Sequence, residues 1–590
     1  MILFFKTIIL LNIALKIGRI KIKYMKKQSI LGLAFLAITG SLVTSCDLLK
    51  DLDYKVTPNP LEMHGDSVRV KIDVTFPEKG IKKKASAEIT PMLGNTALKT
   101  VTVQGEKATG NGSVIQYKPG GKMVYTDVVA YKPEFENAVL TATGKVYKGG
   151  KEKAGKFIDT KIADGTIITP YSVNKDFKVI LDKDQFVRVT EETFVAQVNF
   201  EKGKSVVKPA ELKDKDILDY SAWLLAAQGN PRIAIKTVNV TGYASPEGEE
   251  DKNNSLSTSR AEAGKKVAMD LGKKAKNEKS QTEVYTLNGR GEDFEGFKRE
   301  LKNSSMNEDE KNLVIRVLEM HQDPTTRETE MRNMGKTFTE LDKSIFPMLR
   351  RTEITTVYDL TGYTDEELKT ISKTTPDSLT LEELLFTATL VTDLNEKLNI
   401  YKVAMENYPT DHRTHNNVGA ILYMQNKMSE AKSHFEKANS LKDNAISKNN
   451  LAAVAGVSGD RSKSKQLLGQ AKGAGAEVNY NMGILNIQNG KYADAITSFG
   501  ADNSFNKALA QLLNGSADAA IKTVDATSDK ESAQGFYLKA VAAARQDKTD
   551  AVVSNLKSAF GKDASLKAKA SNDREFLGLA DNAAFSGIVK

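Results

Sequence analysis

Cysteine and histidine are scarce in this chain. Cys46 is the only cysteine among 590 residues, so no disulfide can form within the chain. Of the five histidines, His412 and His415 lie three apart on a predicted helix, but no cysteine or carboxylate completes a zinc set with them. The chain also has no H-E-x-x-H, G-x-S-x-G or phosphate-loop motif. We therefore expect no enzyme, no metal and no cofactor, and we interpret these histidines as solvated.

A broad excess of positive charge is also missing. The formal net charge is +9, but residues 1–45 contain seven basic residues and no acid. Without those seven, 77 of the 84 Lys and Arg residues remain, against 75 Asp and Glu residues. The remainder is close to neutral and predicts no extended basic surface, so nucleic acid is not an expected partner.

Long apolar runs occur only at the start of the chain. Residues 25–46 combine a basic start, an apolar run and small residues, the layout of a secretory signal, which suggests translation from Met25. The alternative for residues 1–24 is an extra membrane segment. The sequence LVTSC at residues 42–46 resembles a bacterial lipobox, which implies lipid attachment at Cys46; the alternative is an ordinary cleaved signal.

Three regions follow residues 1–45. Residues 46–190 alternate apolar and polar side chains in short runs broken by Gly and Pro, which predicts an all-β sandwich. Residues 191–365 mix strands with helices, including one over about 257–273, and suggest an α+β domain with a helical insertion at about 303–345. In residues 378–590 Ala-rich segments repeat every 31–34 residues, which predicts an all-α tetratricopeptide (TPR) solenoid with a C-terminal cap.

The α+β region contains a spaced motif in TGYASPEGEEDKNNSLSTSRA, residues 241–261. Its strand, polar loop and helix resemble the OmpA-like peptidoglycan-binding domain at Gly242, Tyr243, Asn253, Leu256, Ser257, Arg260 and Ala261. The segments GRGE at 289–292 and LRRTEI at 349–354 resemble two later motifs of the same family.

The resemblance implies a ligand site. In that family an Asp and an Arg clamp diaminopimelate of the peptidoglycan stem peptide, and a guanidinium can pair bidentately with a carboxylate. Here Arg260 takes the arginine position, whereas Ser245 stands where the family has Asp, and Glu247 is the candidate substitute. We also expect Asn253 and Arg351 at this site. The alternatives are another ligand or protein partner, a structural remnant, or Arg260 paired with acids of its own loop.

These observations predict a multi-domain, lipid-anchored scaffold of the cell envelope. We expect it at the outer membrane of a diderm bacterium, on the periplasmic side or the cell surface. Its OmpA-like domain would bind peptidoglycan through Arg260, and its TPR groove would bind a protein partner. The alternative is an accessory or assembly lipoprotein for surface fibres or a secretion machine, in which the OmpA-like domain binds protein.

Overall fold

The computed structural model describes residues 48–153, 160–277, 284–321 and 323–590. Two compact units divide the chain: the first combines the described residues up to Asn174 with Asn486–Lys590, and the second is Lys175–Leu485. Cys46 and the LVTSC sequence lie outside the described residues, so lipid attachment stays a prediction.

The N-terminal part of the first unit is built from two β-sheets. Its strands are Asp53–Val56, Met63–His64, Ser67–Phe76, Ala85–Leu93, Thr96–Ala97, Val101–Gly105, Ser113–Ile115, Gly121–Ala130, Val139–Lys148, Lys151–Lys153 and Thr160–Asp164. Ser67–Phe76 is the central strand of one sheet and Ala85–Leu93 lies inside the other. Both strands bury every second side chain in one shared core, as the alternating sequence predicts. The prediction of a β-rich N-terminal part is confirmed, although its last strand ends at Asp164 rather than near 190.

The remainder of the first unit is helical. Its helices are Tyr492–Phe499, Phe505–Leu513, Ala517–Asp525, Ala533–Ala544, Thr549–Lys562, Leu566–Asn572 and Ala583–Val589. Arg545 joins this helical part to the β-sheets, because its Nη2 lies 2.7 Å from Glu62 Oε1 and 2.6 Å from Glu575 Oε1. Glu575 is 2% exposed and also accepts a hydrogen bond from the hydroxyl of Thr169. The β-sheets therefore pack against helices from the other end of the chain.

The second unit contains a four-stranded sheet in the order Val189–Asn199, Arg351–Thr361, Ile233–Ala244, Tyr285–Glu292. Only the last two strands run parallel. The helices Lys215–Gly229 and Glu250–Lys274 accompany this sheet. A Cβ placed at Gly242 would lie 2.0 Å from the carbonyl oxygen of Ser257, so only glycine allows the second helix to approach the strand this closely.

The insertion predicted at about 303–345 is a larger group of helices with its own apolar core. These helices are Phe294–Asn303, Glu308–Met320, Pro324–Asn333, Lys336–Ser344 and Phe346–Leu349. Phe297 and Phe346 are buried in this core with ring centroids 5.6 Å apart. The insertion returns the chain directly to the strand that begins at Arg351.

Helix pairs complete the second unit and confirm the prediction of a helical, TPR-like C-terminal region. The helices are Asp365–Thr374, Leu381–Thr389, Leu394–Asn407, His412–Met424, Met428–Leu441, Ala445–Val457, Arg461–Gln470 and Ala476–Gln488. Close helix contacts explain the small residues of the repeat. A Cβ at Gly419, for example, would lie 2.8 Å from the ring of Phe435.

Candidate functional site

The loop that follows the strand Ile233–Ala244 is shorter than the sequence suggested. The next helix begins at Glu250, whereas its pattern predicted a start near Ser257. Glu250 and Asp251 occupy its first turn, where acidic side chains interact favourably with the positive end of the helix dipole. Arg260 therefore lies about 15 Å along the helix from its first residue, since each residue adds about 1.5 Å.

Arg260 is buried rather than presented to solvent. Its side chain is 1% exposed, and its Nε, Nη1 and Nη2 donate to the carbonyl oxygens of Lys204 (3.0 Å), Tyr243 (2.8 Å) and Glu201 (3.2 Å). Burial lowers the pKa of Arg260 to about 10. These partners are main-chain carbonyls, not the loop acids considered as alternative partners. The guanidinium therefore ties the 201–204 segment to the end of the strand.

Ser245 and Glu247 are held by a different arginine. Nε of Arg350 donates to the Ser245 hydroxyl at 3.2 Å and to Glu247 Oε1 at 3.1 Å, and its Nη2 lies 2.9 Å from the same carboxylate oxygen. Arg350 also pairs with Asp342 at 2.7 Å. Arg350 is therefore the direct partner of Ser245, which stands where the resembled family has aspartate, and of Glu247, the candidate substitute.

Asn253 closes the loop from inside. Its Nδ2 donates to the carbonyl oxygens of Ser245 and Gly248 and to Glu292 Oε1 at 2.9 Å. Asn253 is 6% exposed, so its amide fixes the loop rather than facing an open site. Burial raises the pKa of Glu292 to about 7, against a smaller lowering effect from this hydrogen bond.

Arg351 lies away from the cavity beside Arg260. Its Nη2 is 2.7 Å from Asp293 and 2.7 Å from Glu353, and its guanidinium carbon lies 4.5 Å from the ring centroid of Tyr243. The structure therefore brings Ser245, Glu247, Asn253 and Arg260 together around one cavity, but it does not bring Arg351 there.

That cavity has a volume of about 610 Å³ and lies between the 202–203 turn and residues 245–260. Lys202 and Lys252 line it together with the acids Glu247, Glu249 and Asp251. Glu247 is 8% exposed, and its Oε2 has no hydrogen-bond partner among the described residues. This oxygen is itself buried, and the arginine fork that the resemblance implied is already bound by three main-chain carbonyls.

A second candidate site lies in the helical repeats of the second unit and was not predicted from the sequence. It is a row of asparagines, here called the asparagine ladder, on the first helix of three successive repeats: Asn416, Asn417, Asn449, Asn450 and Asn481. All five are 0% exposed. In each repeat an asparagine stands two positions before the small residue of the TPR pattern, in NVG, NLA and NMG, and this spacing is the signal that could have identified the row.

The ladder binds the main chain of an extended segment, residues 175–187, here called the inner strap. The amides of Lys178, Ile180 and Asp182 each donate to an asparagine Oδ1 at 2.7 Å. The carbonyl oxygens of the same three residues accept from the Nδ2 of those asparagines, at 2.8–3.0 Å. The asparagines, in strap order, are Asn481, Asn450 and Asn417.

The other two asparagines reinforce these contacts. Asn449 donates to the carbonyl oxygen of Lys178 at 3.1 Å and Asn416 donates to that of Ile180 at 3.0 Å. Hydrogen bonds between side-chain amides connect neighbouring repeats: Nδ2 of Asn450 donates to Oδ1 of Asn416 (2.9 Å), and Nδ2 of Asn481 donates to Oδ1 of Asn449 (3.0 Å). The ladder is thus a connected network that satisfies buried amides and strap backbone together.

The first unit shows the same pattern at Asn506. Asn506, also 0% exposed, accepts from the amide of Asn174 at 2.8 Å and donates to its carbonyl oxygen at 2.9 Å. A helical asparagine that satisfies both backbone groups of one extended residue is therefore a repeated device in this protein.

His412 and His415, interpreted as solvated from the sequence, are both partly buried. Nδ1 of His415 lies 3.3 Å from Nδ1 of His434, and burial lowers the pKa of both His415 and His434. In the described ranges no group of three or more His, Cys, Asp or Glu residues could hold a metal ion. No helix in the described part of the chain has the length and apolarity needed to cross a bilayer.

No family model and no curated protein matches the chain. Among solved structures it is similar in part to the APC/C hetero-tetramer Cut9–Hcn1, with 11% identity over 38% of this chain and 45% of that one and a TM-score of 0.30. A tetratricopeptide repeat protein from Parabacteroides merdae gives 14% identity over 37% and 91% of the two chains, TM-score 0.27. Yeast Tom70 gives 12% identity over 62% and 72%, TM-score 0.25. The chain spans less than half the length of the first of these.

Proposed function

We propose that the protein is a non-catalytic scaffold of the bacterial cell envelope whose helical repeats hold polypeptide. The asparagine ladder carries this proposal. Five fully buried amides are arranged to bind main-chain N–H and C=O groups at every second residue of an extended chain. Burying so many polar groups is costly unless a polypeptide backbone satisfies them, so a groove of this kind is built for polypeptide.

The envelope location in this proposal rests on the sequence alone. The lipobox-like residues 42–46 imply a lipid on Cys46, and the preceding basic and apolar residues imply export. Lipid attachment would hold the repeats near a membrane surface, where they could bind a protein partner.

Photo-crosslinking in intact envelopes tests the scaffold role. A crosslinking residue is introduced in place of Asn479, which is exposed and adjacent to Tyr480, whose hydroxyl donates to Asp176 of the inner strap. The control position is Lys437, exposed on the second helix of a repeat. We expect one dominant protein adduct from position 479 and none from position 437. Adducts from neither position, or the same adducts from both, would contradict the proposal.

A wall ligand is a second candidate function, because Glu247 lines the 610 Å³ cavity and its buried Oε2 has no hydrogen-bond partner among the described residues. An ammonium group, such as the amine of a stem peptide, would match this oxygen. Arg260 is unsuited to test the idea, because Arg260→Ala would remove three buried hydrogen bonds and disturb the fold.

The informative comparison is retention on purified sacculi of Glu247→Gln and Glu249→Gln. Both residues line the cavity, but the Glu249 side chain is 70% exposed and pairs with Lys252. Wall binding through the cavity predicts that Glu247→Gln lowers retention while Glu249→Gln does not. Equal retention of both variants and the wild type, or no retention of any, removes this candidate, provided that all three have the same unfolding midpoint.

A further inference from the structure

The inner strap is extended but belongs to no sheet. Residues 173–187 have no regular secondary structure, a long stretch for a compact region. Within the second unit, the strap amides of Lys178, Ile180 and Asp182 are bound by side chains of the ladder rather than by another strand. The helical repeats therefore take the place that a neighbouring β-strand would occupy.

Strap side chains alternate as they do in a strand that is buried on one face. Phe177 is 2% exposed and lies against Gly456, where an added Cβ would be 2.5 Å from its ring. Val179 and Leu181 pack against the core of the repeats, whereas Lys178 is exposed. The groove thus selects apolar side chains at every second position. The residues between them are held through their backbone, and of these Lys178 is exposed whereas Ile180 and Asp182 are partly buried.

Charge imposes little further selection. Lysines 175, 178 and 183 of the strap balance aspartates 176, 182 and 184. Lys178 and Asp176 pair with each other at 2.8 Å on the exposed side. A segment without net charge and with the same alternation would therefore meet the same contacts.

We propose that this groove is a docking site for an extended segment of another polypeptide that has apolar side chains at alternate positions, that is, an unpaired β-strand. The inner strap occupies the groove when no such segment is bound, and the two segments exchange. The inference rests on the proposed function and specifies the class of partner. Because recognition is through the backbone, partners with unrelated sequences but the same alternation can occupy the groove.

Tethering sets the condition for exchange. The strap is joined to the fold at both ends, so its effective concentration at the groove is about millimolar. A free segment with equal contacts therefore binds weakly to the intact protein. Loss of apolar contacts of the strap, or cleavage of the chain at one end of it, should increase the affinity of the free segment for the groove.

The test measures binding of a fluorescent peptide with the sequence of residues 175–187, KDFKVILDKDQFV, by anisotropy. Three full-length proteins are compared: the wild type, the double variant Phe177→Ala and Leu181→Ala, and a protein with a protease site inserted between Lys183 and Asp184, before and after cleavage. The cleaved protein keeps the experiment informative if the double variant fails to fold. Both weakened proteins should bind the peptide at least about tenfold more tightly than the wild type.

Matched variants establish where the peptide binds. In the weakened background, Asn481→Ala should lower the affinity about tenfold or more, whereas Asn479→Ala on the same helix should leave it unchanged, because Asn481 is fully buried and Asn479 is exposed. N-methylation of the peptide amides that correspond to Lys178 and Ile180 should abolish binding.

Two results would overturn the inference. Absence of binding to both weakened proteins would make the strap a permanent structural element. The second result is loss of binding when every side chain of the peptide is replaced but the apolar alternation is kept. It would mean that the groove is specific for the sequence of its own strap. Neither result bears on crosslinking at position 479, so the scaffold role is tested independently.

Discussion

Asn450→Ala removes the middle contact of the asparagine ladder. In the wild type, Asn450 Oδ1 accepts from the Ile180 amide at 2.7 Å and Nδ2 donates to the Ile180 carbonyl oxygen at 2.8 Å. The carbonyl oxygen keeps a second donor, Asn416 at 3.0 Å, but the amide loses the acceptor that holds it.

The magnitude follows from these contacts. A buried group left without its partner costs about 1–3 kcal/mol, and a lost hydrogen bond whose acceptor keeps another donor costs about 0.5–1.5 kcal/mol. Together they predict a loss of about 1.5–4.5 kcal/mol in the free energy that holds the strap in place, with the upper limit reached only if water does not enter. Alanine fits the helix at least as well as asparagine, so helix propensity does not add to the loss.

Native-state hydrogen exchange at the Ile180 amide measures this change directly. The expected loss corresponds to exchange that is faster by roughly 10- to 1,600-fold, since each 1.4 kcal/mol is about a factor of ten. The control is Asn479→Ala, which replaces an exposed asparagine on the helix Ala476–Gln488. If the Ile180 amide exchanges at the same rate in Asn450→Ala as in the control, the ladder does not hold the strap and the reasoning is wrong.

Three further predictions concern the groove, the first unit and pH. Gly456→Ala should displace Phe177, because the new Cβ would lie 2.5 Å from its ring; faster exchange of the strap amides without loss of helical circular dichroism checks this. Arg545→Met should lower the free energy of unfolding by about 3–5 kcal/mol, since it leaves the carboxylate of Glu575 buried without its cation, and adding Glu575→Gln should recover part of the loss in urea titrations. Burial raises the pKa of Glu292 to about 7 from an ordinary value of 4.5, so the folded protein retains a proton that the unfolded chain releases, and stability from this group falls as pH rises from 4.5 through 7. Glu292→Gln, which stays neutral, should be more stable than the wild type at pH 8 and equal to it near pH 4.5; equal stabilities at pH 8 would refute the assignment.

Local patterns predicted the secondary structure where one face is buried. The alternation in Ser67–Phe76 and the small residue Gly419 both report burial directly, because a strand has a period of two and close helix contacts exclude large side chains. The start at Glu250 was missed because residues 250–255 are polar and charged, and such a stretch resembles a loop until its acids are placed in the first turn of a helix.

The site could be predicted only in part, because its partners come from distant segments. The sequence gathers Ser245, Glu247 and Arg260 near one loop, but nothing local indicates that the carbonyl oxygens of residues 201–204 cover the guanidinium. The ladder is a similar case. Asn450 and Ile180 are 270 residues apart, and the helical asparagine pattern alone does not say which chain it holds.

The first unit also has a consequence for how this protein is made. Glu62 and Arg545 are 483 residues apart, with all of Lys175–Leu485 between them. During synthesis, the sheets at the start of the chain therefore cannot pack against these helices until residue 545 has left the ribosome. A protein shortened before Arg545 would leave Glu62 without its cation, however well the middle of the chain had folded.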